Sequence, residues 1–411
     1  MTRKALNPVT LATIIVIMYM TMPIVSVFIS TYTTTYAYML LTVFIIGFIM
    51  LSGGVRQLNT MVYLLFPFAV YIACTFFIKT DSILLWGYQS MLFILPVLLG
   101  YFYLYYKDNA NSMLAIAIII TVIITVVTTI IGLIRFPYAA RVLATIATSD
   151  DPEALKYDWN NIGGYTFTYT VVLLYPILIL AYKLKRINRL VFLITVAVIM
   201  MMIILSEYAT ALLLMIVSSV LFFATRRFNA RHAFIFGIVL ILSMLLLWGG
   251  IEKLLLWLAE NLESETLSER LTALAGGITG VENSESQRID LFRKSLEAFT
   301  KSPVFGQLLN GKSISGGHSF ILDTLADYGV LGGAALVLAY RNIYRYFFKP
   351  FSKNTGFGYV LWAFVQTIIL STVNTGMWLT VLTFFIPLLL TLIYNSDNED
   401  VEDIYEDSLD S

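Results

Sequence analysis

His318 and the arginines Arg135, Arg141, Arg288 and Arg293 are the residues of this chain best suited to chemistry at a phosphate group. His318 follows Gly316 and Gly317 and precedes Ser319, a residue type that caps helix N-termini, just ahead of an apolar run from Phe320. The spacing predicts a helix starting there with His318 at its mouth. Amide dipoles at such an end disfavour imidazolium and attract anions, which leaves a neutral base beside a natural phosphate site. A lone histidine before a helix also serves as a cap or a packed side chain, so its role depends on its surroundings. Guanidinium groups suit phosphates because they stay charged and offer paired donors. Arg293 has Glu297 one helical turn on, which an ordinary surface pair explains, and Arg135 sits at a helix end, where snorkelling suffices. Arg288 has only the less favourably placed Glu285, and Arg141 lies in the acid-free stretch Phe136 to Ser149. Those two rank above Arg293 and Arg135.

The elements that must position these residues are membrane helices. The 411 residues are 59% hydrophobic and 13% charged, with a mean hydropathy of +0.82, against about 45–50% apolar and about 25% charged in soluble domains. Apolar runs recur near residues 9–29, 36–51, 61–78, 84–106, 113–134, 165–182, 190–205, 209–224, 232–250, 320–340, 356–373 and 376–394. They predict an all-α, polytopic membrane protein of about twelve transmembrane helices. The seventh and eighth runs meet at Ser206-Glu207-Tyr208, which is either a junction of two helices or a bend in one. Lys183, Lys185, Arg186 and Arg189, then Arg226, Arg227 and Arg231, then Arg341, Arg345, Lys349 and Lys353 fall on the face of Arg3 and Lys4. Positive charge concentrates on the cytoplasmic side, so both termini are expected there. Cys74 is the single cysteine, which excludes an internal disulfide and a Cys-based zinc site. The net charge is zero, and nothing suggests a nucleic-acid partner.

Two longer loops then face outward from a transmembrane domain spanning 1–394: 135–164 and the large extracytoplasmic loop 251–319. In the first, Asp151 before Pro152 fits an N-cap followed by the first helical position, although Asp150 and Asp151 could also pair on a metal. In the second, Glu252 to Ala275 has the leucine spacing of amphipathic helices. A further helix starts at Ser284, with Gln287 completing a capping box and Ile289, Phe292, Leu296 and Phe299 on one stripe; Pro303 stops it. Residues 306–317, rich in Gly, Ser and Asn, read as a flexible segment that opens and closes over a site. Asp323 and Asp327 share one face of the helix after His318. Asp323 either orients His318, pairs an arginine or binds an acceptor, or is merely solvated; Asp327 reads more simply as solvated. Glu207, at an outer junction, is open in the same way, and His232 reads as interfacial. The acidic tail, 395–411, is too charged and too poor in apolar residues to fold alone and is expected to be disordered.

The order Arg141, Asn160-Asn161, Ser206 at a junction, Gln287 to Phe299, Ser302-Pro303-Val304-Phe305-Gly306, and His318-Ser319 to Gly329-Val330-Leu331-Gly332 resembles the O-antigen polymerase and ligase superfamily. The resemblance is strongest over 285–333, and His-Ser-Phe-Ile-Leu-Asp is similar to the polymerase branch. Glu207, Tyr208 and Ala209 stand where relatives often carry an arginine, and the usual Gly-x-Gly after the proline is reduced to Gly306-Gln307-Leu308. The resemblance implies a GT-C-like fold and metal-independent, cofactor-free sugar transfer from undecaprenyl diphosphate at the outer face of the bacterial inner membrane. Catalysis would fall to His318, Arg288 and Arg141, with Arg293, Arg135 and Asp323 binding substrate. The expected partners are the lipid-linked oligosaccharide, the bilayer, a flippase and chain-length regulators. The alternatives are a ligase that moves finished glycan to lipid A or another acceptor, and a transporter, which twelve spans would fit equally well.

Overall fold

The computed structural model describes residues 8–32, 55–79, 83–105, 110–145, 151–224 and 284–394, with scattered residues between 39 and 48 and between 235 and 272. Among the described residues every regular element is helical and none is a strand. In chain order they are α1 (Pro8–Thr21), α2 (Pro23–Tyr32), α3 (Val55–Lys79), α4 (Ile83–Tyr105), α5 (Ala110–Arg135), α6 (Ala139–Thr145), α7 (Pro152–Trp159), α8 (Tyr165–Lys183), α9 (Arg189–Ser206), α10 (Ala209–Ala224), α11 (Ser284–Lys301), α12 (Phe320–Ile343), α13 (Phe357–Val373) and α14 (Ile386–Tyr394). Short π-helical segments, Tyr344–Phe348 and Thr380–Phe385, extend α12 and precede α14.

Among the described residues five helices, within α3, α5, α8, α9 and α12, are long and apolar enough to cross a membrane. The expected span at 9–29 is instead two helices bent by 107° between Thr21 and Pro23. Pro23 cannot donate an amide and disfavours helical geometry at Met22, so the chain turns there. Four further apolar helices are shorter, within α4, α10, α13 and the 380–394 stretch. The expected spans 36–51 and 232–250, the helices over 252–275, the cluster Arg226, Arg227 and Arg231 with His232, and the acidic tail fall wholly or largely outside the described residues.

The sidedness of α5 shows what surrounds the bundle. Its buried stripe includes Thr121, Thr125, Thr129 and Gly132, while Ile116, Ile120, Ile123, Ile131 and Ile134 point outward. An outward face of isoleucines, with the threonine hydroxyls kept inside among Leu114, Ile118 and Leu133, is the reverse of a helix that floats on water and suits hydrocarbon outside. The threonines hide their hydroxyls by returning them to the preceding turn, as Thr129 Oγ1 does to the Thr125 carbonyl at 2.6 Å. Between helices the glue is short polar contacts: Gln366 Nε2 and Trp362 Nε1 both donate to Ser218 Oγ, at 2.7 and 3.0 Å.

Long-range contacts sort the helix ends into two groups. Tyr105 donates to the Tyr346 carbonyl, Arg186 to that of Ile393 and Tyr394 to that of Thr355. This end therefore gathers two of the expected basic clusters, around Lys183–Arg189 and Arg341–Lys353. The other end joins Ile24 to Asn161, Tyr208 to Ala140 and Phe320 to Asn374. It holds α6, α7, the 206–209 junction and the start of α12.

Gly100 lets α4 press directly on the carbonyl of Thr383, where a β-carbon would overlap the backbone. Gly100→Ala should therefore destabilise the protein by more than about 2 kcal/mol, read as a lower thermal midpoint and a smaller monodisperse fraction in detergent.

Candidate functional site

α11 ends at Lys301, two residues before the Pro303 that the sequence marks as its stop. The chain then turns at 303–311 and lies against a break in α12. At Gly329 the backbone leaves helical geometry, with φ 62° and ψ −156°, a region open in practice only to glycine. The groups released there are taken by the turn: Val330 N donates to Pro303 O at 2.8 Å, Leu331 N to Val304 O at 3.4 Å, and Gln307 N to Asp327 O at 2.7 Å. A β-carbon on Gly329 would strike the Val304 carbonyl, and one on Gly306 the Asp327 carbonyl. Two glycines thus bring two backbones into direct contact.

The segment 306–317, expected to be flexible, is tied down by the two aspartates of α12. Asp323, 6% exposed, accepts from Ser295 Oγ at 2.7 Å, Ser319 N at 3.1 Å and Gly317 N at 3.3 Å. Of the readings left open for Asp323, solvation is excluded and a positioning role is present. Asp327 is the larger correction. It is fully buried, pairs with Lys79 at 3.4 Å and accepts from Ser313 at 2.9 Å and Ser315 at 3.2 Å. The solvated reading fails because α3 covers that face of α12 and supplies the cation. Burial of a carboxylate requires such partners.

His318 sits between these anchors. Ser319 caps α12 as expected, its Oγ accepting from Leu322 N at 3.1 Å, and it is fully buried. His318, one residue earlier, is exposed. Gly317 with φ 80° gives the reversal that turns the imidazole outward while its own amide reaches Asp323. Phe320 N donates to the Asn374 carbonyl, which fixes the start of α12 to the end of α13.

The arginines divide. Arg141, on α6, forms an ion pair with Glu207 at 3.5 Å. The expectation that no acid stands near it is overturned, because the partner comes from the distant α9–α10 junction. Glu207 takes a left-handed conformation (φ 60°) there and ends α9, so the junction separates two helices. Next to it Tyr208 donates to Ala140 O at 2.7 Å, locking the junction to α6, and burial pushes its phenol pKa up so that it remains a donor. Arg293 is exposed and lies 3.9 Å from Asp290, not paired with Glu297. Arg135 lies over the Phe136 ring at 5.2 Å, as expected of an interfacial side chain. Arg288 lies in the first turns of α11; its side chain is outside the described residues.

An aromatic cluster links the Arg141 and His318 regions. Tyr165 and Tyr169 pack on Tyr208 at 5.5 and 6.1 Å between ring centroids, and on Trp378 at 6.3 and 5.7 Å. Trp378 follows Asn374 in the turn that ends α13. Trp378 Nε1 and Asn374 Nδ2 are buried donors with no acceptor among the described residues. Both escaped sequence reasoning; the only signal was the turn-forming Asn374-Thr375-Gly376 between two apolar runs. Asp151 caps α7 through the amides of Glu153 and Ala154, with Pro152 at the helix start, which fills the structural role open to it. Among the described residues no group of three His, Cys, Asp or Glu side chains is placed to hold a metal ion. Comparison with protein-family models, curated proteins and solved structures finds no match for the chain.

Because Asp323 supplies the only described side-chain acceptor for Gly317 N and Ser319 N, Asp323→Ala should release the 306–319 segment. The expected cost is about 2–4 kcal/mol. Limited proteolysis should cut within 306–319 faster than in the unsubstituted protein, whereas Asp323→Asn should fall between the two.

Proposed function

We propose that the chain is a membrane glycosyltransferase that polymerises oligosaccharide repeats carried on undecaprenyl diphosphate, at the outer face of the cytoplasmic membrane. The observation that carries this reading is the fixed loop around Asp323, which presents an exposed His318 at the same end of the bundle as Arg141. Placing the basic clusters of the opposite end in the cytoplasm follows the positive-inside tendency, and makes the His318 end the outer one. Twelve spans, cytoplasmic termini and a GT-C-like outer loop over 251–319 complete the proposed topology.

In the proposed reaction, the terminal sugar hydroxyl of an incoming lipid-linked repeat attacks C1 of the growing chain's reducing-end sugar. The C1–O bond to the diphosphate breaks, the diphosphate lipid leaves with the bond's electron pair, and His318 takes the hydroxyl proton. Arg141 and Arg288 offset the charge that grows on the departing diphosphate, with Arg135 and Arg293 as further cations along its approach and Asp323 holding the histidine loop. For Arg141 this means exchanging Glu207 for phosphate oxygens as the donor binds. The break at Gly329 is a feature a transporter would share, but its released backbone groups are satisfied by the 303–307 turn, which supports a packed joint over a substrate path.

His318→Ala should lower repeat-unit transfer by about 10²–10⁴-fold, the usual contribution of a general base. In cells this appears as loss of long surface polysaccharide with single repeats retained on lipid, seen on gels of the glycan from a null strain complemented by the variant. Unchanged chain length with the folded variant would overturn the assignment, and full-length glycan that fails to reach its final acceptor would mark a ligase instead.

A further inference from the structure

A cavity of about 350 Å³ that His318 does not line lies between the α1–α2 bend and the start of α8. Its size falls in the range of about 300–1,000 Å³ typical of small-molecule sites. One wall is the bend itself, with Tyr19, Thr21, Pro23 and Ser26; the other comes from α7 and α8, with Asp158, Tyr165 and Thr166. The walls are held together rather than merely adjacent. Asn161, buried and in a left-handed conformation, accepts from Ile24 N at 3.3 Å and donates to Thr128 Oγ1 at 2.9 Å. The bend is thereby fastened to the loop between α7 and α8.

Three polar side chains on these walls, half-buried Asp158 and Ser26 and the exposed Thr166 at the rim, are open to a ligand. The carboxylate of Asp158 and the hydroxyls of Ser26 and Thr166 have no hydrogen-bond or ionic partner among the described residues. Burial without a compensating cation pushes the Asp158 carboxyl up to about 6. Among the described residues no Lys, Arg or His lines the cavity, so it has no cation there for a phosphate or carboxylate ligand. The hydrogen-bonding groups are spread over both walls between tyrosine rings. A single ammonium centre would use the carboxylate and leave the hydroxyls idle, whereas a ring bearing several hydroxyls engages them all and lays its C–H face on a tyrosine.

We propose that this cavity binds a sugar ring of a neutral glycan, with Asp158, Ser26 and Thr166 as its hydrogen-bonding partners. Asp158 accepts from a pair of sugar hydroxyls; Ser26 and Thr166 both donate and accept; Tyr19 and Tyr165 supply the aromatic flank. The inference rests on the cavity and not on the transfer chemistry: a protein that held a glycan here and transferred nothing would satisfy it.

The test is binding of the full chain in lipid nanodiscs to an array of short neutral oligosaccharides, with choline and inorganic phosphate as separate probes. At pH 7.5 at least one oligosaccharide should bind. Asp158→Asn and Thr166→Val should each weaken it about tenfold or more, as expected when a charge-assisted or well-placed hydrogen bond is lost. Both variants should keep the unsubstituted thermal midpoint or exceed it, since neither side chain makes a bond within the described fold. Binding should weaken as pH falls through about 6, where the carboxylate is protonated, and this dependence should vanish in Asp158→Asn. Repeat-unit transfer is read separately, from the polysaccharide of cells complemented with His318→Ala, which separates failure of this site from failure of the proposed transfer. Absence of any oligosaccharide binding, equal binding by the variants, or binding of choline or phosphate alone would overturn the proposal.

Discussion

Two carboxylates on one face of a helix in an apolar bundle set the terms for everything around them. A buried aspartate side chain has no water to turn to there, and its oxygens must meet donors from the protein. Asp323 and Asp327 meet this demand with the chain that precedes them: Ser295, Ser313, Ser315 and the amides of Gly317 and Ser319 form a shell of donors, completed by Lys79 from α3. The segment that looks loose by composition is the solvation of two buried acids. At Gly316 nothing larger fits, because a β-carbon would overlap the Leu291 backbone of α11. Exposure of His318 follows, since its neighbours on both sides are drawn inward and the imidazole is left facing out.

The sequence disclosed the local structure well and the long-range pairs poorly. The caps at Asp151 and Ser319, the stop at Pro303 and the separation of α9 from α10 within the options left open are all set by a few adjacent residues, and such signals survive folding. Burial of Asp327 and the Arg141–Glu207 pair depend on elements remote in sequence, and no local pattern encodes them. The bend at Met22-Pro23 was present as a proline, but the unbroken hydropathy from 9 to 29 concealed it. An apolar run measures what tolerates lipid, and says little about where its axis turns. The cavity beside Asp158 was hidden for a related reason: Asp158 sits in an ordinary short amphipathic helix, and only the bend from the chain's beginning closes a wall over it.

The candidate site is correspondingly uneven. Helix α12 and its loop are rigidly specified by hydrogen bonds, whereas Arg141 is already engaged by an acid. A cation in that state is held in a fixed place at the expense of being instantly free. Glu207 keeps the guanidinium from wandering into the headgroups, and the left-handed turn it occupies is what brings it within reach. The aromatic cluster of Tyr165, Tyr169, Tyr208 and Trp378 packs between the arginine and the histidine regions within this one end of the bundle.

At Gly306 and Gly329 alike the nearest neighbour is bare main chain, with no side chain that could swing aside to make room. Enlarging either one drives a β-carbon into the backbone across the seam between turn and helix. A change at either position therefore has to be absorbed by the main chain of the turn and of the helix break together.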